Sequence, residues 1–365
     1  LKFIKDFNFN PVPTSISVRG ELDRSFNKII YRNSVSDQAG ALPNYQKFFV
    51  FNRFYNARWS LTKGLSLDYN SRVNDIIDEP DGDIDTQEKQ DSVITNLKKF
   101  GRMKNFEQTV TANYTLPLDK FPATNWLGAE YRHNDGYSWR DSPVEREDSL
   151  QLGNTIQNTT DQGLSGRVDF LKLYNKIGFL KDINTPKRKP TPTEKARQPT
   201  LPDTVKRPPD LSGLTGLLRL VMSLRNVTGT YNRTQGSILP GFTPSPYLFG
   251  MDKEWNAPGW GFVLGQQDPA LPVKAAERGW LSTSSLLTQP FSQVLTTDVS
   301  VRASLEPSSD FKIQLDAKKT TNSSYQEIYK YDPTDINADP ITGFVSQSPT
   351  RNGTYKISIL SINTA

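Results

Sequence analysis

The stretch 294–320, VLTTDVSVRASLEPSSDFKIQLDAKKT, restricts the fold more than any other, because it is two-sided along nearly its whole length. Leu295, Thr297, Val299, Val301, Ala303 and Leu305 alternate with Thr296, Asp298, Ser300, Arg302, Ser304 and Glu306. Successive side chains of an extended strand point to opposite sides, so a period of two describes a strand with one apolar face. After Pro307, Ser308, Ser309 and Asp310 the alternation resumes through Phe311, Ile313, Leu315 and Ala317, which predicts a β-hairpin. The pattern leaves open whether the apolar face meets a protein core or lipid.

The same alternation recurs at 14–26, 48–61, 65–69, 106–116, 126–131, 163–171, 225–233 and 355–362, giving about ten predicted strands. An up-and-down order sorts the connections into two sets. One set holds 62–64, 117–124, the linker after 171, and 306–310. The other holds 27–47, 71–105, 133–162, 234–293 and 322–352. Tight turns on one side and long polar loops on the other are the pattern of outer-membrane barrels, whereas sandwiches distribute turns over both ends. Trp59, Trp126 and Phe311 lie beside the short turns, and Tyr69, Phe106 and Tyr231 toward the opposite strand ends, as two interfacial girdles require.

Composition agrees. Of 365 residues only 35% are hydrophobic, and no apolar run approaches the roughly 20 residues that a membrane-spanning helix needs. A membrane β-barrel is compatible, since its signal is alternation spread over many short segments. The absence of cysteine excludes disulfides and thiolate metal sites. The chain opens on LKFIKDFNFNPVP, which has no continuous apolar h-region, as a mature or truncated chain would.

The net charge of +5 is concentrated in 181–209, with eight Lys or Arg against three Asp or Glu. This segment has seven prolines and no aromatic, so it reads as an extended linker rather than a nucleic-acid-binding surface. The stretch 211–224, LSGLTGLLRLVMSL, spaces its leucines for a short amphipathic helix, and reads equally as the ragged start of a longer strand. His133, the single histidine, precedes the turn sequence Asn134-Asp135-Gly136 and reads as a loop residue; nothing like a nucleophile elbow accompanies it. The acidic run 75–88 lacks EF-hand spacing and reads as a polar loop. No catalytic, cofactor-binding or metal-ligating set is expected.

Several stretches in order resemble a known family: IIDEPDGDIDT followed by LKKFGRMKNFEQTVTANYTLPLDKFP, then LGNTIQN with LSGRVDFLKLYNKIGFLKDIN, then LLRLVMSLRNVTGTYNRTQGSILPGFTPS, and NAPGWGFVLGQQD. They are similar to the SprA/Sov family, the outer-membrane translocons of the type IX secretion system of Bacteroidetes. The resemblance implies a very large single-chain barrel that exports folded proteins, including gliding adhesins and surface enzymes. It also implies secreted protein substrates, a PorV-like shuttle barrel, a periplasmic plug protein, and contact with lipid and lipopolysaccharide. Family members are several times longer, so this chain resembles an internal portion.

The expected fold is therefore all-β, a segment of a transmembrane antiparallel up-and-down β-barrel. Barrel strands occupy 1–172, a Pro/Lys-rich periplasmic linker 173–210, and a helix with further strands 211–365, including an outer loop at 234–293. Arg19, Glu21, Arg58, Glu107, Thr109, Arg167, Asp169, Asp298, Arg302, Asp316 and Lys318 are the predicted pore-lining residues. Trp255, Pro258, Trp260 and Phe262 are predicted to cap or narrow the exit. Ten strands leave two unpaired edges, which lipid does not tolerate, so further strands are expected from elsewhere in a longer chain. The rival readings are a TonB-dependent transporter barrel and a soluble glycan-binding β-sandwich.

Overall fold

The computed structural model describes residues 8–30, 43–142, 152–184, 218, 221–308 and 310–358. Its frame is one antiparallel sheet of ten strands, hydrogen-bonded in chain order. The strands are β1 (Ser15–Ile29), β2 (Asn44–Ser60), β3 (Leu65–Ile76), β4 (Arg102–Leu116), β5 (Leu127–Arg140), β6 (Asn154–Asp169), β7 (Leu224–Phe242), β8 (Phe291–Ser308), β9 (Phe311–Tyr331) and β10 (Phe344–Ser358). Among the described residues β1 pairs only with β2 and β10 only with β9, so the sheet has two open edges.

One end of the sheet is built from tight turns. Between β2 and β3, Thr62 Oγ1 accepts the amide of Leu65 at 3.0 Å, and the Gly64 carbonyl accepts the amide of Thr115 at 2.7 Å. A Cβ at Gly64 would stand 2.6 Å from the Thr115 carbonyl oxygen, which explains the glycine at this close approach. Ser308 pairs directly with Phe311 at the β8–β9 turn. At the same end β6 stops at Asp169, whose carboxylate caps α2 (Phe170–Tyr174) by accepting the Lys172 amide at 3.0 Å. A second short helix, α3 (Gly178–Asn184), follows. The basic segment from 185 onward and most of the predicted helix 211–224 lie outside the described residues; Leu218 and Val221 within it are helical.

At the other end the strands run farther than expected. β5 continues through His133 to Arg140, β6 begins at Asn154, β7 extends to Phe242, and β9 reaches Tyr331. Much of the sequence read as long loops is therefore strand, and the 234–293 loop shrinks to 243–290. The 71–105 loop also contains α1 (Gln87–Lys98), capped by Thr86, whose side chain accepts the Lys89 amide. No residue of α1 is fully buried, and its apolar stripe is a single turn, Val93, Ile94 and Leu97, too short to stand out in a segment otherwise polar.

The buried apolar cluster belongs to this extended end. Val73, Phe106, Tyr137, Trp139, Ile156, Leu239 and Phe242 from the sheet meet Met251, Phe262, Val263, Leu271, Ala275, Trp280 and Leu281 from the 243–290 loop. That loop carries α4 (Trp260–Val263) and α5 (Leu271–Glu277). Burial of each large side chain here stabilises by about 1.5–3 kcal/mol. The half of the sheet nearer the tight turns has no such second layer among the described residues.

Candidate functional site

Directly opposed residues of an antiparallel pair lie on the same side of the sheet, as do residues two apart on one strand. The registers therefore sort every strand residue onto one of two faces. One face is polar across all ten strands: the row Ser15, Arg58, Asp68, Thr111, Asn134, Asp161, Thr234, Thr296, Asn322 and Thr354 contains no apolar residue. Arg19, Glu21, Arg58, Glu107, Thr109, Arg167, Asp169, Asp298, Arg302, Asp316 and Lys318 all fall on this face.

Cross-strand pairing organises the polar face. Arg302 Nε donates to Asp316 Oδ1 at 2.5 Å, Thr320 Oγ1 donates to Asp298 at 2.5 Å, and Arg58 lies 3.4 Å from Asp68. Within β1 Arg19 pairs with Glu21 at 3.3 Å, and across to β2 it stacks over the Phe54 ring at 4.5 Å. These side chains are solvated, so each ion pair contributes no more than about 1 kcal/mol. A groove of about 680 Å³ runs past Asp298, Arg302, Asp316 and Lys318. Its walls offer mixed charges and hydroxyls, chemistry suited to wetting a surface and poor at holding one ligand tightly.

The opposite face carries an exposed apolar band over its turn-side half. Leu65, Leu67 and Tyr69 on β3 lead to Leu116, Tyr114, Ala112 and Val110 on β4, and to Leu127, Ala129 and Tyr131 on β5. The band continues through Val168 and Leu164, Val227 and Tyr231, Leu305 to Val299, and Ile313 to Ala317. Val18 is 69% exposed, Leu164 46% and Val301 42%. Contiguous exposed apolar surface beyond a few hundred Å² marks contact with a partner or membrane.

The outer limit of this band does not follow the hydrogen-bonded rows. It is set by Tyr69 on β3, with Ser71 beyond, and by Ala317 on β9, with Lys319 beyond. The row through Tyr69 passes Val110, Asp135, Thr160, Gln235 and Leu295 and reaches Ser323, six residues past Ala317. The limit thus drifts by about one residue per strand. With strands about 4.8 Å apart and rising about 3.4 Å per residue, a level band of this drift corresponds to a strand tilt of roughly 35°. Tyr55, Tyr69, Tyr131 and Tyr231 all stand at this limit. Phe106, expected in the same girdle, is instead buried beneath the loop.

Just above the limit the same face turns polar for one to three positions before the apolar residues of the buried cluster begin, and the 243–290 loop is seated over both. Asn158 is fully buried; its Nδ2 donates to the carbonyls of Phe262 and Gln266 at 3.0 Å each. Its Oδ1 accepts from the Ser237 amide at 3.1 Å and from Gln267 Nε2 at 3.0 Å. Thr160 Oγ1 lies 2.6 Å from the Gly265 carbonyl and 2.9 Å from Asp135 Oδ1, sharing one proton between two acceptors. Asp135 Oδ2 is 2.7 Å from His133 Nε2, and His133 Nδ1 is 3.3 Å from the Tyr131 hydroxyl. His133 is therefore a strand residue linking the tyrosine rim to the loop seat, where the sequence suggested a loop histidine.

Of the predicted cap residues, Phe262 packs edge-on to Tyr137 and Pro258 is buried, while Trp255 and Trp260 stack with ring centroids 5.7 Å apart. The structure brings all four to the face opposite the charged one, so the loop lies against the banded side and not across the polar side. Asn158, Thr160 and Asp135 went unnoticed in the sequence. Their signal was a run of small polar residues in the register that elsewhere holds apolar ones.

The acidic run is consumed by ion pairs with the strand ends. Arg24 lies 2.6 Å from Glu79, Arg53 bonds Asp75 twice at 2.8 and 3.0 Å, and Lys28 lies 2.6 Å from Asp83. Among the described residues no group of three or more His, Asp or Glu is disposed to hold a metal ion. Hydrogen bonds from Lys28 and then Tyr45 hold the Asp83 carboxyl below its ordinary range. A carboxyl lowered by folding contributes above its unfolded value and loses that contribution as pH falls through the folded one. Amide protection at Lys28 and Tyr45 should therefore drop only at pH below the usual carboxylate range, and Asp83→Asn should remove this step from the exchange profile.

No family model and no curated protein matches the chain.

Proposed function

We propose that this chain forms part of the wall of an outer-membrane β-barrel through which folded proteins are exported, in the manner of the SprA/Sov type IX translocons it resembles. The observation that carries the reading is the pairing of a polar face, continuous over ten strands, with an exposed apolar band whose edge drifts by about one residue per strand. A soluble sandwich must cover its apolar face with a second sheet, and a level edge on tilted strands has no purpose there. A membrane belt requires it, because bilayer thickness is measured along the barrel axis and not along the strand.

On this reading the polar face lines an aqueous interior. The ion pairs Arg58–Asp68 and Arg302–Asp316 tie neighbouring strands together, and the mixed charges and hydroxyls around them wet the wall without holding one passenger tightly. The tight turns face the periplasm and the extended end faces outward. Open edges at β1 and β10 need strand partners in lipid, as expected where further strands complete a larger barrel. The export reading rests on the resemblance, and the barrel reading on the faces.

Cell fractionation tests both parts. The intact protein should sediment with outer membranes and leave them only with detergent, and its depletion should accumulate folded secreted proteins in the periplasm. A monodisperse protein in plain buffer would sink the barrel. Membrane insertion with undisturbed secretion would sink the export function alone.

A further inference from the structure

We infer that the 243–290 loop ends in an aromatic foot that rests in the headgroup zone of the outer leaflet, beside the barrel wall. The inference rests on the barrel reading above and adds a lipid contact made by a loop instead of a strand.

Its first support is the side on which the loop sits. Gly250 packs so closely on the Tyr137 ring that a Cβ would fall 2.7 Å from it, and Gly265 abuts Thr160 and Asp135. These partners all belong to the banded face. The loop therefore overhangs the apolar belt from above.

The second support is continuity with the belt. A tight turn, closed by the Leu248–Met251 bridge, places Phe249 at its tip with φ of +51° and Gly250 with φ of +78°. Left-handed backbone at a non-glycine residue costs about 1–2 kcal/mol. Here it aims the Phe249 ring at Tyr69, edge-on with centroids 5.5 Å apart, at the outer limit of the band on β3.

The third support is what this edge leaves uncovered. Tyr247, Leu248, Phe249, Trp255, Trp260 and Leu264 are each more than two-fifths exposed. The stacked pair Trp255 and Trp260 is 44% and 47% exposed, although the rest of this part of the loop is firmly anchored through Met251, Ala257, Phe262 and Val263. Amphipathic indoles and phenols are the side chains favoured between water and hydrocarbon.

Height agrees with this placement. Phe249 touches the band limit itself, and Thr160, beneath Gly265, is four residues beyond Leu164 on β6. Four residues of tilted strand rise roughly 10 Å. The lower edge of the loop thus begins at the hydrocarbon boundary, at Phe249, and at Gly265 stands a few Å above a headgroup zone some 5–7 Å deep.

The test uses the absence of native cysteine. Nitroxide labels are placed singly at Val301→Cys, Trp255→Cys, Trp260→Cys and, as an exposed loop position away from the foot, Thr283→Cys in the intact protein. The protein is reconstituted in phosphatidylethanolamine/phosphatidylglycerol vesicles, and collision with oxygen is compared with collision with a water-soluble nickel chelate. Position 301 should be oxygen-dominated, 283 nickel-dominated, and 255 and 260 intermediate. Water-like values at 255 and 260, or shielding from both reagents as a protein contact would give, overturn the foot while leaving the barrel standing. Loss of oxygen access at 301 overturns both. Unlabelled protein provides a second measurement: lipids brominated near the headgroup should quench a tryptophan component that disappears in W255F/W260F. No difference between the two proteins also overturns the foot.

Discussion

Val301→Arg is expected to block assembly of the protein into the outer membrane, while Ser300→Arg, one residue away, leaves most of it assembled. Val301 lies between Val299 and Ala303 within the apolar band of β8, with Gly229 and Ala317 directly opposite. An arginine there faces lipid one same-face position inside the outer limit of the band, where the cost on a barrel exterior falls between the about 2–4 kcal/mol of the midplane and the about 0–1 kcal/mol of the interface. Ser300 lies on the polar face between Thr230 and Lys318, bonded to the Thr230 hydroxyl at 2.6 Å. Its replacement meets water and one like charge, a penalty of about 1 kcal/mol or less. Heat-modifiable mobility on gels and the yield of membrane-integrated protein measure the difference. Equal tolerance of both variants would invert or abolish the assigned faces.

The second large effect is expected at Gly265. Its φ of +76° already disfavours a side chain, and a Cβ would stand 1.8 Å from Thr160 Oγ1, 2.6 Å from Asp135 Oδ1 and 3.1 Å from the Thr159 carbonyl oxygen. Gly265→Ala therefore forces Thr160 and Asp135 to leave the positions from which they bond the seat, or the loop to lift from it. Lifting it leaves Asn158 without its Phe262 and Gln266 acceptors, and each buried group left unpaired costs about 1–3 kcal/mol. Protease cleavage within 243–290 should rise sharply while the strand pairing and membrane insertion persist. An unchanged digestion pattern would mean that the seat is not what holds the loop. Gly279→Ala is the matched control: it also has positive φ, at +69°, but nothing lies within 4 Å of its added Cβ.

These two positions mark where sequence patterning was sufficient and where it failed. In the band the sequence alternates because one face meets an apolar surrounding and the other does not, so β8 and β9 were legible at once and the polar-face residues were named correctly by strand and side. Beyond Tyr69, Val110 and Tyr131 the banded face turns polar for one to three positions, at Ser71, Gln108, His133, Asp135, Thr160 and Asn158, and the alternation is interrupted before Val73, Phe106, Tyr137, Trp139 and Ile156 resume it under the loop. His133 to Arg140 and Asn154 to Gln162 accordingly looked like loop. Backbone pairing and the covering loop, neither of which has a period of two, hold those segments as strands. The loop itself was noticed for its tryptophans, but its side could not be read: that depends on contacts across more than a hundred residues, such as Asn158 to Phe262. Helix α1, with no buried residue, had only the single turn Val93, Ile94 and Leu97 to show.

The extension of the strands beyond the band also sets a length. β9 has 21 residues, and at about 3.4 Å per residue and a tilt near 35–45° it rises roughly 50–60 Å. Fourteen of those residues lie beyond the band limit at Ala317 and rise roughly 35 Å. On the proposed reading the wall stands as a chimney of about that height above the lipid, and cargo leaves it among surface polysaccharide instead of at the membrane plane. A passenger at the mouth would already be clear of the bilayer, with the rim and not the lipid as the last surface it touches.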